Sequence, residues 1–275
     1  MKKIILIFIL FIGTACYGQS CTFSCAEPFD LSNGASRFMS NITGSNMIGE
    51  KIAKIILKKS IIQNSEGGKY KVDLDSYSVK DLKKGIFKKF TLKGKNVIVD
   101  GTKFSEIKLK TLCDFNYIDI RDPKKPIFKT DLPIEFRVVM TEEDINYSMQ
   151  SNNYRRLISK INSSGFLKIK SDRIKISNNQ FFYYISASVP FGSVTLIVNS
   201  DLKIRNGRID FSNTRLVNES IYIDLKKLDW LINYINPLDY SLKVLENNHA
   251  ELSVKNVEIK NDKIYADGWV VIPKN

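Results

Sequence analysis

The chain has 275 residues with 42 Lys and Arg against 29 Asp and Glu, a formal net charge of +13, and is 43% apolar and 26% charged. That composition excludes a disordered chain and a collagen-like repeat, and the length suits one large domain or two small ones. The charge is regional, since residues 51–130 hold 20 basic and nine acidic side chains whereas residues 1–50 balance, and regional charge speaks to partners rather than to fold.

The chain opens with Lys2-Lys3, an unbroken apolar run from Ile4 to Ile12, and then Gly13-Thr14-Ala15-Cys16-Tyr17-Gly18. A basic start, a short apolar run and small residues read as a secretory signal peptide over residues 1–18. The run is well short of the roughly 20 apolar residues that a membrane span needs. Cleavage after Gly18, lipid attachment at Cys16 through a degenerate lipobox, and an uncleaved anchor are the three ways of processing it. Each places the mature chain outside the cytoplasm, in the periplasm or cell envelope, and so weighs against nucleic acid as the partner of the lysines. Residues 19–35 then form a loop in which Cys21 and Cys25 are expected to pair in an oxidising compartment. That leaves Cys113, within TLCDF, as a buried small hydrophobe. Cys-x3-Cys without a second pair is not a zinc site.

Residues 36–275 read as one domain. Its first element is a single long helix from Ser36 to Gln63, apolar over most of its circumference: Phe38, Ile42, Ile48, Ile52 and Ile56 share a broad face, which Leu57 and Ile61 extend, against a narrow Lys51/Lys54/Lys58 stripe. Such a helix must be wrapped by something. Gly44 and Gly49 are its weak points. Period-two alternation then dominates, as in Tyr70-Val72-Leu74, Ile134-Phe136-Val138 and Phe181-Tyr183-Ile185. Asn206-Gly207 predicts a tight hairpin, and Asn261-Asp262 marks a closing one. Thr141-Glu-Glu-Asp144 has the form of a capping box opening a helix that runs to about Ile161. A further helix from Asp224 to Ile235 is stopped by Asn236-Pro237. The fold class expected is α+β: a long N-terminal helix packed in a strongly curved, mostly antiparallel sheet.

Catalytic constellations are missing from the pattern. His249 is the only histidine, no Gly-x-Ser-x-Gly elbow exists, and Gly44-x4-Gly49 lacks the Lys-Ser/Thr of a phosphate loop. The three carboxylates at 142–144 suit the first turn of a helix. The reading is therefore non-catalytic, with no cofactor and no metal.

The segment from Ile185 to Val217, the short helix ending in Ile235-Asn-Pro-Leu238, and the stretch from Asp239 to Val270 resemble the LmeA-like family of bacterial phospholipid-binding proteins, long known only as an exported domain. The series GIFKKFTLKGKNVIVDG, FSEIKLKTLCDFNYI and DLPIEFRVVMTEEDIN follows the same order of elements, so the likeness spans about residues 45–272. It implies an exported cell-envelope protein that binds, and in some settings transfers, phospholipid, with a tubular lipid-binding fold in which a long helix lies in the curved sheet. The acyl chains would then occupy a groove between helix and sheet, against Phe38, Ile42, Ile48, Ile52 and Ile56. The alternative is a structural or protein-interaction domain whose interior is filled by its own side chains.

Residues 83–95, KKGIFKKFTLKGK, interleave Lys83, Lys84, Lys88, Lys89, Lys93 and Lys95 with apolar residues. On an exported protein this stretch reads as a dock for anionic headgroups, where each lysine contributes on the order of 1 kcal/mol, with Phe87 and Phe90 at the interface. Lysines that guard a sheet edge against aggregation are the competing reading.

Overall fold

The computed structural model describes residues 23–42, 45–119, 126–163, 168–189, 192–218, 225–246 and 250–275. The expected signal peptide, Cys16, Cys21 and His249 lie outside them. In chain order the elements are α1 (Gly34–Ile42), α2 (Ser45–Gln63), β1 (Gly67–Asp75), α3 (Val79–Lys84), β2 (Ile86–Phe87), β3 (Lys89–Val99), β4 (Thr102–Thr111), β5 (Asn116–Asp119), β6 (Ile127–Phe128), β7 (Leu132–Thr141), α4 (Glu142–Ser148) and α5 (Asn152–Ser163). The second half adds β8 (Lys168–Ser177), β9 (Gln180–Val189), β10 (Gly192–Arg205), β11 (Arg208–Leu216), α6 (Leu225–Tyr234), α7 (Pro237–Leu242), β12 (Glu251–Lys260) and β13 (Lys263–Ile272).

The strands form a six-stranded sheet in the order β1-β3-β4-β7-β13-β12, a four-stranded meander β11-β10-β9-β8, and a small sheet β2-β5-β6. All the pairings are antiparallel. Two-residue turns close the hairpins at Asp100-Gly101, Asn178-Asn179, Asn206-Gly207 and Asn261-Asp262, each with positive φ at both central positions. That geometry matches the twist of the flanking strands and favours Asn, Asp and Gly. The large sheet and the meander share one core, in which Phe104, Phe136, Val138 and Met140 from the former meet Ile174, Phe181, Ile185 and Val198 from the latter.

The long helix enfolded by a curved sheet is corrected by this architecture. Two helices stand where one was expected, α1 ending at Ile42 and α2 beginning at Ser45. Gly costs about 1 kcal/mol in a helix interior, so the sequence from 36 to 63 disfavours one uninterrupted helix. The large sheet stays open, with β1 and β12 as free edges, and neither sheet curls round a helix. The expected helix from Thr141 to Ile161 is likewise two, α4 and α5. The Thr141 capping box is present: Thr141 Oγ1 accepts from the Asp144 amide at 3.2 Å while Asp144 Oδ2 accepts from the Thr141 amide at 3.0 Å. Asn236 caps as well as stops, its side chain accepting from the amides of Leu238 and Asp239 at the start of α7.

The cysteine pairing also differs. Cys25 is bonded to Cys113, 88 residues away, so a Cys21–Cys25 bridge does not form. Cys113 is buried, as its apolar context suggested, but as half of a cross-link. Around the bridge, the Ser32 amide and hydroxyl donate to the two oxygens of buried Asp81 at 2.6 and 2.9 Å, and Lys84 pairs with Asp30 at 2.8 Å. The segment before α1 is thereby fastened to α3 and β5. A loop of this length removes about 4–5 kcal/mol of chain entropy from the unfolded state. The Cys25→Ser/Cys113→Ser variant is therefore expected to lose most of that amount in urea unfolding. An unchanged midpoint would contradict the pairing.

Candidate functional site

The seat of α2 is narrow. Its inward positions are Asn46, Gly49, Glu50, Ala53, Leu57 and Ile61, which fall on one side of the helix. Glu50 accepts from the Ser76 amide at 2.7 Å and from its hydroxyl at 2.9 Å, fixing the helix to the end of β1. Gly49 lies so close to α3 that a Cβ there would sit 2.7 Å from Val79 Cγ2. Leu57 and Ile61 reach the main core, and Ala53 and Leu57 the smaller cluster of Leu74, Phe87 and Leu132. The half-buried side chains of Ala53, Leu57 and Ile61 thus occupy the junction of helix and sheet.

The opposite face of α2 is the more apolar one. Ile48, Ile52 and Ile56 are 63%, 54% and 62% exposed, and Met47, Ile55 and Ile62 stand beside them. On α1, which contacts α2, Phe38 and Ile42 are 65% and 64% exposed, with Met39 next to them. The five residues singled out for acyl contact, Phe38, Ile42, Ile48, Ile52 and Ile56, are therefore all on the outside. Lys51, Lys58 and Lys59 are exposed on the same helix. An apolar surface of this kind on adjoining helices marks a contact with something else.

The stretch at 83–95 does not form one patch. Ile86 and Phe87 are buried and Phe90 is half-buried against the core, so the phenylalanines do not reach an interface. Lys83 and Lys84 close α3, where Gly85 takes a left-handed φ of 89° as the C-cap. Lys84 is paired with Asp30, Lys89 with Asp114 at 3.0 Å and Lys95 with Glu106 at 3.8 Å, while Lys88 lies over the Tyr77 ring. Among the described residues Lys83 and Lys93 are exposed without an ion pair, Lys83 on α3 and Lys93 on the open face of the large sheet.

Two cavities are prominent among the described residues. One of about 460 Å³ lies between β10–β11 and α6, lined by Lys203, Arg205, Asp210, Asn213, Asp229 and Trp230 among others. A depression of about 240 Å³ on the large sheet is lined by Lys95, Glu106, Lys263 and Tyr265 with their neighbours. Both are largely polar, unlike a pocket for acyl chains. No group of three or more metal-ligating side chains occurs among the described residues, and none of their helices is long and apolar enough to cross a membrane.

One polar cluster escaped the sequence pattern. Buried Tyr154 of α5 and Tyr183 of β9 both donate to Asp172 of β8, at 3.0 and 3.2 Å, and Arg155 pairs with the same carboxylate at 3.1 Å. Burial pushes both phenols well above their ordinary range, so they stay protonated donors. The cluster ties α5 to the meander. Only its pairing register, which no local signal carries, brings the three side chains together.

Comparison with family models, with curated proteins and with solved structures finds no match. The outward isoleucines are open to a direct test of placement. Ile48→Gln/Ile52→Gln/Ile56→Gln is expected to leave stability within about 0.5 kcal/mol per site, as surface changes do. Leu57→Ala, at the half-buried seat, is expected to cost roughly 1–3 kcal/mol. The reverse order in urea unfolding would place the isoleucines inside.

Proposed function

We propose that the protein is an exported, non-catalytic phospholipid-binding protein of the cell envelope that engages an anionic membrane surface through the outer face of α1 and α2. The observation that carries this reading is the exposure of Phe38, Ile42, Ile48, Ile52 and Ile56 on two adjoining helices. Apolar side chains at helical spacing with lysines alongside are the composition of a helix that lies in the headgroup boundary. Lys51, Lys58 and Lys59 supply the attraction to acidic lipid. The Cys25–Cys113 bridge suits an oxidising compartment, and the basic and apolar start of the chain suits export. The likeness to the LmeA-like family points to the same ligand class. Lipid is met at the exterior in this reading, because α2 fills its own junction with β1.

A second reading is a protein-interaction domain of the envelope with a filled interior, in which a protein rather than lipid covers α1 and α2. The polar lining of both cavities favours it. Vesicle sedimentation separates the two. The protein is expected to pellet with vesicles containing phosphatidylglycerol and to pellet weakly with neutral phosphatidylcholine vesicles. Ile52→Glu/Ile56→Glu should lower the partition at least tenfold without loss of fold. Wild-type protein that stays in the supernatant with anionic vesicles would remove the lipid reading in favour of the protein partner.

A further inference from the structure

The open face of the large sheet carries a line of cations that edge protection does not explain. The strand register places Lys71 of β1 opposite Lys93 of β3, Lys93 opposite Lys108 of β4, and Lys108 opposite Arg137 of β7. Four cations thus stand side by side across four neighbouring strands, and all four are exposed. With strands about 4.8 Å apart, the line is roughly 14 Å long. Like charges directly opposite one another destabilise a sheet. Here the arrangement is repeated three times in succession.

The acidic side chains nearby neutralise only its β1 end. Asp73 pairs with Lys71 and Glu106 with Lys95, each at 3.8 Å. Lys93, Lys108 and Arg137 have no acidic partner within ion-pair distance among the described residues, although Asp267 is the register partner of Arg137. Edge guarding applies to β1, which is an edge, and not to β3, β4 and β7, which are interior strands. On the flank of the line lies the depression lined by Lys95, its partner Glu106, Lys263 and the Tyr265 ring. The face is therefore a cationic strip with a polar hollow of mixed charge beside it.

We propose that this strip is a binding site for a linear polyanion, a chain of phosphate or other anionic groups that lies across β1, β3, β4 and β7. Its geometry suits an extended chain: the charges are collinear, spaced by the strand repeat, and three of the four sit on strands hydrogen-bonded on both sides, so little backbone freedom is lost on binding. It lies on the face opposite the one that seats α2, because Lys71 and Lys93 alternate with Val72 and Leu92 of the core. A membrane that meets α1 and α2 therefore leaves the strip free. The inference does not rest on the lipid reading.

Inorganic polyphosphate is the probe, with binding measured by calorimetry over a range of salt. The triple variant Lys93→Gln/Lys108→Gln/Arg137→Gln is compared with Lys51→Gln/Lys58→Gln/Lys59→Gln, which removes the same charge from α2. The strip variant is expected to bind at least tenfold more weakly than wild type. Its slope of log affinity against log salt should be shallower by about 2, as fewer counterions are displaced, while the α2 variant should stay close to wild type. The melting midpoint of the strip variant should hold or rise, since the repulsion between neighbours is relieved. Absence of wild-type binding, or equal loss in both variants, would overturn the proposal and leave only net charge. A strip variant that loses anionic vesicles but keeps polyphosphate would overturn it in favour of headgroups. A fall in its midpoint would assign the cations a structural role instead.

Discussion

Strand β7 is the constraint on which the two faces of the molecule depend. It is bonded to β4 on one side and to β13 on the other, so it joins the N-terminal strands to the closing hairpin of the chain. Its inward side chains Phe136, Val138 and Met140 are fully buried, and its outward ones include Glu135 and Arg137. A slip of one residue would turn Arg137 into the core and Phe136 into water. Because the register is held so firmly by burial, the charges on the outer face are held with equal firmness. The cost of their mutual repulsion is offset by the apolar contacts behind them.

The same core leaves little room for α2. By the time β1, β3, β4 and β7 have packed against the meander, the remaining apolar surface at the β1 edge accepts Ala53, Leu57 and Ile61. Glu50 and Gly49 lock that orientation through Ser76 and Val79. The isoleucines at 48, 52 and 56 are then outside by geometry rather than by low hydrophobicity. Burying a side chain of this size is worth about 1.5–3 kcal/mol, so a face with this many of them gains by meeting an apolar phase. Selection for solubility alone does not build such a face. The disulfide and the Ser32–Asp81 contacts hold the preceding segment so that α1 continues the apolar surface.

Much of the sheet was legible in the sequence. Period-two runs found β1, β7 and β9, and Asn-Gly and Asn-Asp found two hairpins, because those signals are local. The helix at 36–63 was legible in content and not in placement. A wheel apolar all round says that the helix needs a cover, and it does not say whether that cover belongs to the protein. The tubular fold inferred from it required the cover to be the sheet, and the sheet had already spent its inner face on the meander. The Cys25–Cys113 bridge, the Asp172 cluster and the cation line all join residues far apart in the chain. The cation line depends on register, which appears only when strands are paired, and the other two on tertiary packing that no local signal carries.

The claim on which the functional account turns is that α1 and α2 meet lipid while the large sheet faces away. Hydrogen–deuterium exchange in the presence and absence of phosphatidylglycerol vesicles tests it most directly. The account predicts added protection confined to residues 34–63, with the amides of β3, β4 and β7 exchanging as they do in free protein. Protection spread over those strands, or no change in α2, would contradict it.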